Sequence, residues 1–189
     1  MKNIHYTTQL MTASASVSDY MASCVNIDKF KKCCEACPNY GKTWACPPYR
    51  FERRDYWDHF SKLMIVADKI IFDADIKKTV PDKNDRLEYG KNVLKIEKIK
   101  LLDALYDMEK DHPGSRLLSG GACELCEEGT CQRLSAQPCR HPQQLRYSIE
   151  SLGGDVIKTC REYFDTEILW SPDGSLPEYF MLVMGLLIK

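Results

Sequence analysis

CELCEEGTCQRLSAQPC, residues 123–139, carries four cysteines, Cys123, Cys126, Cys131 and Cys139, within seventeen residues. Whether these thiols are staples or ligands decides what kind of fold the chain has to build. Small secreted domains with too little apolar content for a core use cysteines as disulfide staples. Here 44% of the 189 residues are hydrophobic, enough for a core without cross-links. The opening residues MKNIHYTTQLMTASAS contain no apolar run of the kind a secretory signal needs, so the chain reads as cytoplasmic and its thiols as reduced. Thiolates at short, uneven intervals, broken by Gly129 and Pro138, then read as ligands that converge on a metal centre.

The spacing bears on which metal. Structural zinc is commonly held by two CxxC-like pairs separated by a longer spacer, each pair supplying half a tetrahedron. This run has one such pair, followed by gaps of four and seven residues. That pattern suits the corners of a 4Fe-4S cluster, which a sharply turning loop can reach one at a time. Zinc is the alternative. A second group lies nearer the start, with Cys33, Cys34, Cys37 and Cys46 in CCEACPNYGKTWACPPYRF. Cys34, Cys37 and Cys46 form a three-thiol set, and Cys33 competes with Cys34 as its first member because adjacent cysteines rarely both point at one metal. Three thiolates would leave one iron corner open, the arrangement Lewis-acid chemistry requires. One or two clusters are therefore expected.

The rest of the chain predicts an α+β fold, with a mixed or antiparallel sheet, flanking helices and two cysteine-rich metal-binding loops at about 33–49 and 120–142. It reads as a single domain over residues 1–189. Ser18 and Asp28 are predicted to cap short helices, and Glu52–Phe60 to form another. Apolar runs at Leu63–Val66 and Ile70–Phe72 predict strands. Asn84–Met108 is the clearest helix: Leu87, Leu94, Leu101, Leu105 and Met108 share a face, Asp85 with Glu88 forms a capping-box pattern, and Pro81 and Pro113 bracket it. A strand is expected at Ser115–Leu118, a helix at Asp155–Phe164, and a hairpin pairing Glu167–Trp170 with Glu178–Ile188 across Ser171–Gly174.

Around the thiols, Arg140 and Arg146 would offset the negative charge of a four-thiolate cluster, and Arg146 reads equally as a solvated surface group. His141 reads as a loop residue that touches no metal. Tyr40, Trp44, Tyr49 and Phe51 would either shield a cluster from water or anchor the loop to the sheet. Cys24 and Cys160, on apolar helix faces, read as buried and inert. Gly41-Lys42-Thr43 resembles the end of a phosphate loop, but Ala36 occupies the first glycine position, so nucleotide binding is rejected. Pro38 directly after Cys37, and the lack of a βαβ context, argue against a dithiol redox pair.

Charge is balanced, 26 Lys plus Arg against 27 Asp plus Glu, with no long single-sign run. Neither nucleic acid nor an anionic membrane is expected as a partner. The longest apolar stretch, Tyr179–Ile188, is about half of a membrane span.

The strings CEACPNYGKTWACPPY and CELCEEGTCQRLSAQPCRHPQQLRYSIESLGGDV, with an apolar closing strand, resemble the prokaryotic family known as domain of unknown function 2284. The resemblance spans roughly Cys34 to Leu187 and implies metal binding of iron–sulfur character. It implies one ligand motif at Cys34 (or Cys33), Cys37 and Cys46 and another at Cys123, Cys126, Cys131 and Cys139. Arg140, His141, Pro142, Arg146, Ser148 and Glu150 continue the second motif, and Tyr147 stands where a proline is expected. No reaction comes with the resemblance. The leading expectation is a 4Fe-4S protein that transfers electrons with a redox partner protein. The alternatives are an enzyme acting on a small-molecule substrate at the open corner, with Arg140, Arg146 or Glu150 as helpers, and a zinc-stabilised interaction module.

Overall fold

The computed structural model describes residues 5–170 and 175–189, with the backbone alone at Lys77. Among the described residues the core element is a four-stranded antiparallel sheet. Its strands are β1 (Tyr6–Ser16), β2 (Lys62–Phe72), β3 (Arg116–Leu118) and β4 (Tyr179–Ile188), in the order β1-β2-β4-β3. Helices cover both faces: α1 (Val17–Cys24), α2 (Ile27–Glu35), α3 (Arg53–Asp58), α4 (Ile76–Thr79), α5 (Lys83–Asp111) and α6 (Val156–Phe164). The α+β class and the antiparallel sheet expected from the sequence are both present.

β2 and β4 are apolar nearly throughout because both of their faces are covered. Leu63, Ile65 and Ala67 of β2 and Val183 and Leu187 of β4 pack with Tyr20 and Cys24 of α1, Trp57 of α3, Ile149, Leu152 and Cys160. The opposite face, with Val66, Leu182, Met184 and Leu186, packs on Leu101 and Leu105 of α5. Buried polar groups in the first layer find partners: the Tyr20 and Thr159 hydroxyls lie 2.8 Å apart, and Trp57 Nε1 donates to the Leu152 carbonyl at 3.1 Å. Where β4 crosses β2, Gly185 lies opposite Ile65, and a Cβ there would sit 2.9 Å from Leu63 Cδ1 and 3.0 Å from the Met64 carbonyl oxygen.

Several boundaries differ from expectation, each for a local reason. Ser16, not Ser18, caps α1 by accepting from the Asp19 N–H at 3.0 Å. Asn26 caps α2 in place of Asp28. Asp82 caps α5 by accepting from the Asn84 and Asp85 N–H groups, so the helix starts before the Asp85–Glu88 pattern. The two predicted runs at 63–66 and 70–72 are one strand, since Ala67, Asp68 and Lys69 continue the pairing with both neighbours. β1 was not expected at all: its Thr, Gln and Ser side chains look like a polar leader, but it is an edge strand with one solvated face. The predicted hairpin does not form. Glu167–Trp170 is not a strand, β4 pairs with β2 and β3 instead, and the turn at 171–174 lies outside the described residues. No helix among the described residues is long and apolar enough to cross a membrane.

The sheet also fixes what the cysteine segments hang from. β3 runs into Gly120-Gly121 and the second cysteine loop, and Gly120 lies close against β4, where a Cβ would meet the Val183 carbonyl oxygen at 2.9 Å. Segment 148–154 bridges the two cysteine regions. Ser148 pairs with Ser119 beside β3, while the Gly153 carbonyl accepts from the Asn26 N–H ahead of α2 at 2.8 Å.

Two outcomes are expected. Gly185→Val should lower stability by about 1–3 kcal/mol, the usual cost of overpacking, and reduce the urea midpoint without changing the slope. Burial pushes the Cys160 thiol from 9.0 up to about 11. The native state therefore holds that proton more tightly than the unfolded chain, and the resulting stability is complete below pH 9.0 and lost as pH rises toward about 11. Unfolding free energy measured across that window should fall, and fall less steeply in Cys160→Ala.

Candidate metal centre

α2 delivers Cys33 and Cys34 on its last turn, so the first cysteine segment starts on a helix and not in a loop as expected. Beyond it the chain turns repeatedly. The Cys37 N–H donates to the Cys34 carbonyl at 3.0 Å, Tyr40 to Cys37 at 3.0 Å, and Cys46 to Thr43 at 3.1 Å. The Gly41 N–H donates to the Pro47 carbonyl at 2.8 Å and closes the loop, at a φ of 71° that suits glycine. Cys34, Cys37 and Cys46 then line one cavity of about 150 Å³, together with Ala122, Ser148 and Glu150. Cys33, its neighbour Cys34's rival as a ligand, is exposed and does not line it.

The second group is held by backbone contacts from its own loop. Cys123, Cys126, Cys131 and Cys139 are all free and half-buried. Burial raises the Cys123 thiol, the Leu125 N–H pulls it back, and the Cys126, Cys139 and Cys131 thiols push it up further, so all three lie within electrostatic reach of Cys123. The His141 N–H donates to Cys139 Sγ at 3.3 Å. His141 thus acts through its backbone. Among the described residues, however, no three His, Cys, Asp or Glu side chains converge into a set able to hold a single metal ion. The loops gather thiols without closing them on one point.

The two groups face each other. Burial raises Cys46, and among the charges acting on it are Cys37 of its own group and Cys131 of the other. The join is made by Arg133, between Cys131 and Cys139. Its guanidinium donates to the Thr43 carbonyl at 2.6 Å, the Pro48 carbonyl at 2.7 Å and the Cys46 carbonyl, and lies over the Trp44 ring. Trp44 Nε1 returns a hydrogen bond to the Gln137 carbonyl at 3.0 Å. Arg133 was not singled out in the sequence. An arginine in a cysteine spacer looks like any solvated cation until its partners, some ninety residues away, are known.

Other neighbours part from expectation. Arg146 is neither solvated nor free to offset cluster charge: it is buried against Glu109, at 2.6 and 2.9 Å, and caps the Gln143 and Leu145 carbonyls. Arg140 donates to the Thr130 carbonyl and hydroxyl. Tyr49 and Phe51 stack at 4.8 Å with Tyr147 edge-on, against the first core layer, which favours anchoring over shielding. Tyr40 lines the thiol cavity. Cys24 and Cys160 are buried in the core, apart from both groups, as expected.

Four buried side-chain polar atoms among the described residues have no hydrogen-bond partner: Thr43 Oγ1, Arg53 Nη1, Asp68 Oδ1 and Glu150 Oε2. Three of the four flank the first cysteine group. Arg53 lies beside Cys34 and Thr43 beside Cys46, each favouring the thiolate against the burial that raises both thiols. Glu150 lines the cavity itself. Buried donors next to sulfur and a buried acceptor facing three thiols are costly when alone. A metal centre held by thiolates gives the donors anionic sulfur and the carboxylate a cation, so these residues fit a thiophilic metal group.

Arg133→Met should release the first loop from the second. Hydrogen exchange at residues 43–48 should speed up, with a stability loss of about 1–3 kcal/mol typical of charge-assisted hydrogen bonds, and Arg133→Lys should restore little of it. Unchanged exchange in Arg133→Met would show that the clasp is not what orders the loop.

A family model described as predicted metal-binding protein (DUF2284) matches residues 22–188. No curated protein and no solved structure matches the chain.

Proposed function

We propose, for a chain that belongs to the DUF2284 family of predicted metal-binding proteins, that it is an iron–sulfur protein serving electron transfer with a redox partner protein in the cytoplasm. The observation that carries this reading is the meeting of two reduced thiol groups, Cys34, Cys37 and Cys46 on one side and Cys123, Cys126, Cys131 and Cys139 on the other, with Cys46 and Cys131 near enough to act on each other. Two neighbouring centres suit stepwise passage of single electrons.

When bound, a 4Fe-4S cluster at the four-thiol group supplies one-electron redox chemistry at a potential set by its surroundings. The chain's own residues govern those surroundings. The His141 N–H at Cys139 and the Leu125 N–H at Cys123 stabilise negative charge on sulfur. The pairing of Arg146 with Glu109 withholds a full positive charge from the loop and fixes its exit to α5. Lys98 donates to the Ala122 carbonyl at 2.7 Å and pins its entry. The sequence spacing of the thiols, one CxxC pair followed by gaps of four and seven residues, supports a cluster over a lone zinc ion.

Protein purified without oxygen, or reconstituted with iron and sulfide, should be brown with a broad visible band and contain both elements. Cys139→Ser should remove the share belonging to the four-thiol group, and Cys46→Ser the share belonging to the three-thiol group. Reduction by one electron per cluster should bleach the band reversibly. A colourless protein that takes up zinc near stoichiometry and no acid-labile sulfide would sink the reading.

A further inference from the structure

Among the described residues no fourth cysteine lines the cavity of the three-thiol group, and a carboxylate with a buried, unpartnered oxygen does. Glu150 opens the short 3-10 helix at Glu150–Leu152, within the segment that bridges β3 and α2. Its Oε2 is buried without a hydrogen-bond partner, and the residue lines the same cavity as Cys34, Cys37 and Cys46. The nearest cation does not neutralise it by contact. Lys98 is committed to the Ala122 carbonyl at 2.7 Å and to Glu124 at 3.3 Å. Burial pushes the carboxyl above the ordinary carboxylate range, while its own N–H, the Ser148 hydroxyl and the Gly121 N–H pull it part of the way back.

These contacts leave Oε2 without a partner, and a buried carboxylate oxygen left so is costly in a protein without a metal. Beside three thiolates and a bound iron it becomes a ligand, because iron accepts oxygen donors and its charge offsets the loss of water. We infer that Glu150 supplies the fourth ligand to the centre held by Cys34, Cys37 and Cys46. On binding, the carboxyl gives its proton to solvent and a lone pair of one oxygen to the metal; no electron is transferred. The corner that three cysteines would leave open is thus capped by a carboxylate, which exchanges more readily than a thiolate. The class of molecule able to displace it is a small neutral or anionic donor that fits the cavity of about 150 Å³.

This assignment rests on the iron–sulfur reading of the first cysteine group, and the test separates the two. Mössbauer spectra of the reconstituted full-length protein are compared with those of Glu150→Gln, which keeps the shape but not the anion, and Glu150→Cys, which offers a thiolate. The wild type should show one iron subsite with oxygen ligation. Glu150→Gln should change that subsite and make it respond to added imidazole at lower concentration than in the wild type. Glu150→Cys should shift it into the thiolate-ligated envelope. If Cys46→Ser loses iron and sulfide but neither Glu150 variant alters the spectrum, Glu150 is not a ligand and the iron–sulfur reading stands. If Cys46→Ser retains the full wild-type iron and sulfide, the first group holds no centre, and both the reading of that group and the Glu150 assignment fail. Should a variant not fold, the wild-type spectrum decides, since absence of an oxygen-ligated subsite overturns the assignment by itself.

Discussion

Neither cysteine segment has regular structure over most of its length, so each must find partners for its carbonyl oxygens outside itself. Arg133 meets that need for the first, and Trp44 of the first returns one bond to the Gln137 carbonyl of the second. One planar guanidinium, with its donors in a fixed fork, takes three carbonyls of the first loop while its own backbone belongs to the second. The thiol groups face each other because of this clasp. A lysine would bring the same charge but not the same geometry. The position of seven sulfur atoms therefore depends on one side chain that carries no sulfur and touches no proposed ligand atom.

The distribution of unsatisfied polar atoms tells a related story. The core layers on either side of the sheet are conventional: apolar strands, a buried tryptophan with its N–H paired, a buried tyrosine hydroxyl met by a threonine. Among the described residues, three of the four unpartnered buried side-chain atoms gather instead around Cys34, Cys37 and Cys46. Thr43 and Arg53 are donors and Glu150 is an acceptor, so they do not share one cause such as a missing anion. A centre with sulfur on its surface and positive charge at its heart is the kind of partner that answers both. Binding such a centre would also add to folding stability, because the unfolded chain offers no preformed site.

How much of this was legible in the sequence depended on the range of the interaction. The helices at 83–111 and 156–164 are set by local periodicity and caps, and they were read to within a few residues. The thiol groups were visible because their members are close in sequence. The pairing of β4 was not. Ser171–Gly174 suggested a hairpin, but partner choice belongs to β2, which is more than a hundred residues away and offers a long strand that is apolar but for Lys62, Asp68 and Lys69. β1 escaped because an edge strand with one wet face has the composition of a loop. Arg146 and Arg133 escaped because a cation's role lies in what it meets. One meets Glu109 across the fold and is withdrawn from the cluster; the other meets the opposite loop and organises it.

The order of strands in the sheet has a consequence for how the protein is made. Among the described residues β3, which launches the loop from Gly120 onward, pairs with β4 and with no other strand, and β4 follows the other three strands in chain order. Both cysteine segments precede β4 in the chain, so they are made before the framework that turns them toward each other is complete. The mutual placement of the two thiol groups therefore waits on β4, and until that strand pairs the thiols have nothing to hold them in register.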